Sequence, residues 1–127
     1  MMSIIAVPSS KNGGLNETVN KRFGKSENLT FITVENENIK AVKIIPIYVT
    51  EIIGNLGMHA ANMIANNNAS DVIIRYIGRK AFSSLNSKNI NIFQAPDETL
   101  TVKQCVDLFI QGKLLKVKEP NAHLINK

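Results

Sequence analysis

The hydrophobic residues of this chain change their spacing at Gly54, and that change dictates the fold class. Before it, apolar residues come as strand-like runs: SIIAVP (3–8), LTFITV (29–34) and IKAVKIIPIYV (39–49). The first is nearly continuous, the pattern of a central strand buried on both faces. The second and third are separated only by the polar ENEN, which reads as a hairpin turn. Pro46 has no N–H to give to a ladder, so the third strand belongs at a sheet edge. From Gly54 to Asn68, Leu56, Ala60, Met63 and Ile64 fall on one face at helical spacing. DVIIRY (71–76) then returns to a buried strand, and GRKAFSSLNS (78–87) places Ala81, Phe82 and Leu85 on one helical face. INIF (90–93) is a further strand. Thr101 and Gln104 are spaced as a capping box, opening a third helix with a stripe of Val102, Cys105, Val106 and Phe109, closed by Gly112.

The expected order is thus β, β-hairpin, α, β, α, β, α. Strands alternating with helices imply parallel pairing through right-handed crossovers, while the hairpin adds antiparallel partners on one side. The outcome is an α/β fold: a mixed five-stranded sheet with helices against its faces. A chain of 127 residues is long enough to bury its own core. One domain over residues 1–115 is expected, with residues 116–127, which carry Pro120 and mixed polarity, as a C-terminal tail. The single cysteine, Cys105, excludes an internal disulfide and a self-sufficient cysteine-rich metal site. The opening MMSIIAVPSS lacks the basic segment of a signal peptide. No apolar run approaches the roughly 20 residues that span a bilayer. A soluble, cytoplasmic protein without membrane contact is expected.

Fifteen Lys and Arg stand against ten Asp and Glu, a net charge of +5 that favours anionic partners. The cations are not evenly spread. NKRFGKS (20–26) sets Lys21, Arg22 and Lys25 around a Phe23-Gly24 pair. A structural reading has Phe23 plugging the open end of the sheet while Gly24 adopts a positive φ. The functional reading adds that the cations rim a cleft at the carboxyl end of the first strand, where open α/β sheets bind ligands. Gly78-Arg79-Lys80 opens the second helix, aiming backbone N–H groups and two more cations at the same crevice. Gly54 to Gly57, at the first long helix, offer a similar but weaker anion site. His59 is the histidine best placed to give a nitrogen to a metal, with Met58 and Met63 as soft neighbours. Cys105, on a buried stripe, reads as an inert thiol. Catalysis finds no support: the first strand carries no acid, no nucleophile–base set is evident, and there is no phosphate-binding P-loop. Nucleic-acid binding would rest on net charge alone.

The succession IIAVPS, RFGKSENLTFITVE, DVIIRYIGRKAFSSLNSKNINIF and TVKQCVDLFIQGKL resembles the dinitrogenase iron–molybdenum cofactor biosynthesis family, the NifX-like domains that also occur as the C-terminal part of NifB. The resemblance runs from about Ser3 to Leu115. It implies a ribonuclease-H-like three-layer fold with strand order 3-2-1-4-5. It also implies a non-enzymatic role: binding or carrying an iron–sulfur or iron–molybdenum cluster precursor, with a cluster donor or acceptor protein as partner. The family's histidine before Phe-Gly falls on Arg22, which stays protonated and has no lone pair for a metal. Tyr76 stands where the family has a glycine, and Arg79 where it has a proline. These departures leave a second role open, a regulatory or scaffold domain that binds a partner protein or a non-metal anion. Lys21, Arg22, Arg79 and Lys80 are the residues expected to supply charge. Phe23 would anchor their loop, Gly24, Gly54 and Gly78 would give backbone access, and His59 would be the candidate metal ligand.

Overall fold

The computed structural model describes residues 2–47 and 56–125. Its strands are β1 (Met2–Ser9), β2 (Asn28–Glu35), β3 (Asn38–Pro46), β4 (Asp71–Ile74) and β5 (Asn91–Gln94). The helices are α1 (Leu56–Asn66), α2 (Arg79–Ser87) and α3 (Val102–Ile110), with single 3₁₀ turns at Phe23–Lys25 and Ala122–Leu124. The strands form one sheet in the order β3-β2-β1-β4-β5. β1 pairs antiparallel with β2 and parallel with β4, β2 pairs antiparallel with β3, and β4 pairs parallel with β5. The mixed α/β architecture read from the hydrophobic pattern and the strand order implied by the family resemblance are therefore present.

Local chemistry explains the elements. The β2–β3 turn uses Asn36 and Glu37 at φ 52° and 68°. Two left-handed residues in a two-residue loop match the twist of the strands they join. Lys40 is an extra residue in the register, because Thr33 pairs with Ala41 and Val34 with Ile39. Such a bulge sharpens the twist of an edge strand. β3 is that edge, with Pro46 at its end. Thr101 accepts from the Gln104 N–H while Gln104 reaches back to the Thr101 N–H, so the capping box at the start of α3 is formed. Gly112, at φ 71°, ends that helix in the left-handed conformation.

The pleat of the sheet divides the core in two. On one face Ala6, Phe31, Val72 and Ile74 pack with Ala60 and Ile64 of α1 and Ala81 and Leu85 of α2. On the other, Ile5, Val7, Ile32 and Ile73 pack with Val102, Cys105 and Val106 of α3. Helices thus cover both faces. β1 is fully buried over its second half, as a central strand must be.

The segment after α3 does more than trail from the domain. The Gln94 N–H donates to the Leu115 carbonyl and the Val117 N–H to the Ile92 carbonyl, so residues 115–117 run along the outer edge of β5. The chain then crosses to the loop after β4, where the Asn121 and Ala122 N–H groups both donate to the Ile77 carbonyl. Among the described residues, no helix is long and apolar enough to cross a membrane.

Candidate functional site

Two loops meet where β1 and β4 end. Residue 22 is extended and bridges Tyr76 in parallel fashion, and the Phe23 N–H donates to the Tyr76 carbonyl at 3.0 Å. Phe23 is buried in the core beside α1 and α2, so its ring anchors the loop from below. The Ser26 hydroxyl caps the Phe23 carbonyl at 2.9 Å, closing the turn. The anchoring role read for Phe23 is the observed one.

Gly24 serves a different purpose from the one expected. Its φ is not positive. A Cβ built on it would lie 2.9 Å from the backbone nitrogen of Gly57 and 3.2 Å from its Cα. Glycine is required because the loop backbone lies directly on the backbone of α1's first turn. Gly57 in turn would bring a Cβ to 3.1 Å from the Ala81 Cβ, so loop, α1 and α2 converge through small residues. Gly78 is under no such constraint: φ is −81°, and a Cβ there would meet nothing within 4 Å.

This convergence leaves a cavity of about 450 Å³ above it. Arg22, Lys25, Arg79 and Lys80 line it, together with the backbone at Gly24 and Gly78. Its apolar surface comes from Phe23, Leu56, Met58, Tyr76, Ala122 and Ile125. All four cations are exposed and, among the described residues, none has a carboxylate partner: the ion pairs are Arg75–Glu98 and Lys103–Asp107. α2 adds to the positive potential. It starts without a side-chain cap and without an acid in its first turn, so its free N–H groups face the same end as Arg79 and Lys80. Cations at a helix N-terminus oppose the macrodipole, and that combination is relieved by an anion.

The structure thus brings Arg22, Phe23, Gly24, Gly78, Arg79 and Lys80 to one hollow. Lys21 is exposed and does not line it. His59, half-buried on α1, does not line it either, although its neighbour Met58 does. Gly54 lies outside the described residues. Sequence reasoning missed the C-terminal wall, Ala122 and Ile125, because a short segment without hydrophobic period carries no signal. The Pro120-Asn121 pair, a turn-former, is the only hint.

The donor set decides what the hollow fits. Among the described residues, its lining has no His, Cys, Asp or Glu, and no group of three or more such side chains is able to hold a metal ion. A bare cation finds neither ligands nor favourable charge here. An anion that already carries its own ligands finds both charge and an apolar floor. Cys105 is no substitute: it is buried on the inner face of α3, and desolvation pushes its thiol up to about 11.

Residues 1–112 match the family described as dinitrogenase iron-molybdenum cofactor. An uncharacterized protein of Methanocaldococcus jannaschii is 31% identical over 101 residues, covering 80% of this chain and 84% of that protein. The orange protein of Desulfovibrio gigas, solved in its apo form, is 30% identical, with a TM-score of 0.81 over 95% of this chain and 98% of its own. A further solved structure from M. jannaschii is 19% identical, with a TM-score of 0.73 over 94% of this chain and 99% of its own, and adds the fold alone.

Proposed function

The chain belongs to the dinitrogenase iron-molybdenum cofactor family, and from that premise we propose that it is a non-enzymatic carrier of an anionic iron–sulfur or iron–molybdenum cluster precursor. The cluster is cargo, received from a donor protein and passed to an acceptor in the cytoplasm. One observation carries this reading: four cations without a carboxylate partner among the described residues, and an uncapped helix N-terminus, surround one cavity whose floor is apolar. Arg22, Lys25, Arg79 and Lys80 supply charge, and the backbone at Gly24 and Gly78 allows close approach. Phe23 and Met58 give a polarizable surface suited to sulfide. With no imidazole, thiolate or carboxylate in the lining among the described residues, retention is by charge and shape, and His59, outside that lining, has no part in it.

The test is anaerobic titration of the protein with cluster, reading the visible spectrum and the bound iron and molybdenum. Uptake should fall about tenfold, on the order of 1.4 kcal/mol, when Arg79→Glu or Arg22→Glu reverses one charge. Lys43→Glu, on the β3 edge, should leave it unchanged, as should His59→Ala. A protein that stays colourless and takes up no metal sinks the carrier reading. Uptake abolished by His59→Ala alone would replace charge with coordination.

Arg22 favours a second reading. Its guanidinium, placed where the resembling pattern has histidine, binds anions but never a metal. A regulatory or scaffold domain that accepts a non-metal anion or a partner protein would keep this cavity and lose metal uptake altogether. The same titration separates the two.

A further inference from the structure

A second cavity, of about 560 Å³, lies beside the first, bordered by Arg75, Gln94, Pro96 and Glu98. Tyr76 lines both cavities. So does the C-terminal turn, but with different residues. Ala122 and Ile125 face the first cavity, whereas Asn121 and Leu124 face the second. Residues three apart eclipse one another in a 3₁₀ turn, so one short turn presents one pair to each side. The turn is a partition, one residue layer thick.

Beside the two backbone bonds from the Asn121 and Ala122 N–H groups to the Ile77 carbonyl, the partition is held by one side chain. Asn121 Oδ1 accepts the Ile77 N–H at 2.7 Å. Its Nδ2 donates to the Arg75 carbonyl at 3.0 Å and to Gln94 Oε1 at 2.9 Å. Gln94 is itself fixed, donating to the Arg75 carbonyl at 2.9 Å. The amide of Asn121 therefore spends both its donors and an acceptor on the ends of β4 and β5. By contrast, the turn contributes no residue to either buried core cluster, and His123 and Leu124 are exposed. A segment held by a few polar bonds rather than by core burial opens far more readily than the sheet beneath it.

The geometry points to Ala122 and Ile125 as residues that set the size of the ligand the cationic hollow admits, with Asn121 as the positioning residue that keeps them in place. With the turn docked, the hollow ends at the Ala122–Ile125 wall. With it undocked, the two cavities join into one groove running from Arg79 past Tyr76 to Glu98. The site then takes an anion about twice as large, and bound ligand has a second way out. This rests on the reading of the hollow as an anion site, but not on the anion being a cluster.

The experiment uses two anionic dyes that share one chemistry and differ in bulk, 8-anilinonaphthalene-1-sulfonate and its doubled form, bis-ANS. Hydrogen exchange is followed in parallel at the Ile77, Asn121 and Ala122 amides. The wild-type protein should prefer the smaller dye. Asn121→Ala should speed exchange at those three amides about tenfold or more, leave β1 and β4 core amides unchanged, and narrow the preference between the dyes about tenfold. Ile125→Ala, which leaves the latch intact, should narrow the preference without changing exchange. Should Asn121→Ala fail to fold, Asn121→Asp keeps the acceptor for Ile77, loses both Nδ2 donors, and should show the same changes to a smaller extent. Exchange at the three amides unchanged in both Asn121 variants overturns the proposal, as does a wild-type protein that binds both dyes equally. If neither dye binds wild type, the anion-site reading fails instead, and the exchange data still decide whether Asn121 is the latch.

Discussion

At the scale of single residues, the two glycines nearest the hollow answer to different constraints, and substitution separates them. Gly24→Ala drives a Cβ into the backbone of Gly57. Neither backbone can rotate away as a side chain would, so a loss of about 1–3 kcal/mol is expected in urea denaturation, together with weaker ligand binding. Gly78→Ala adds a methyl to open space at an ordinary φ, and stability should move by no more than about 0.5 kcal/mol. Cys105 gives a pH prediction. Its thiol is held protonated up to about pH 11 by burial, against 9.0 when solvated. Between those values the unfolded chain releases a proton that the folded one keeps, so stability is whole below pH 9 and falls as pH rises towards 11. Denaturation midpoints measured across this window should fall in the native protein and fall less in Cys105→Ala. The same thiol should react with Ellman's reagent only on unfolding.

At the scale of elements, α3 shows how much the sequence discloses and why. Its start was legible because a capping box is local chemistry, two side chains and two N–H groups within four residues. Its buried face was legible because Val102, Cys105 and Val106 keep helical spacing. Thr101→Ala should therefore cost about 1 kcal/mol, measurable as a lower thermal midpoint. The hairpin and the edge position of β3 were legible for similar reasons: a polar turn between β-branched runs, and a proline no central strand tolerates. The site was legible only in part. Arg22 and Gly78 announced themselves through composition, but whether 22–25 and 78–81 meet depends on the Arg22–Tyr76 bridge, which no local pattern encodes. The reason for Gly24 was misread on the same ground, since its constraint comes from α1, some thirty residues onward. His59 drew notice as a lone imidazole at helical spacing. Its neighbour Met58 lines the cavity instead, because one residue along a helix turns a side chain by about a hundred degrees.

At the scale of the whole molecule, the surplus of cations acts through where it gathers. Four of the fifteen Lys and Arg border one cavity, and among the described residues no acid lines it. Binding of an anionic ligand should weaken steeply as salt is raised, because the rim is exposed and charges are screened over about 10 Å at 0.1 M ionic strength. Titrations at low and moderate salt should show this loss, and Arg79→Glu should flatten the slope. A slope that stays unchanged in that variant would put the ligand elsewhere on the surface.

The hollow draws its walls from residues 22–25, 56–58, 76–81 and 122–125, four stretches distributed over nearly the full chain. A cut that separates any one of these stretches from the rest removes part of the wall. A ligand held there would need all four stretches for its full set of contacts, the 122–125 wall bounding its size and the 22–25 and 76–81 stretches supplying charge. A ligand that binds only the folded chain would make it harder to unfold, so loading would be measurable as a raised unfolding midpoint.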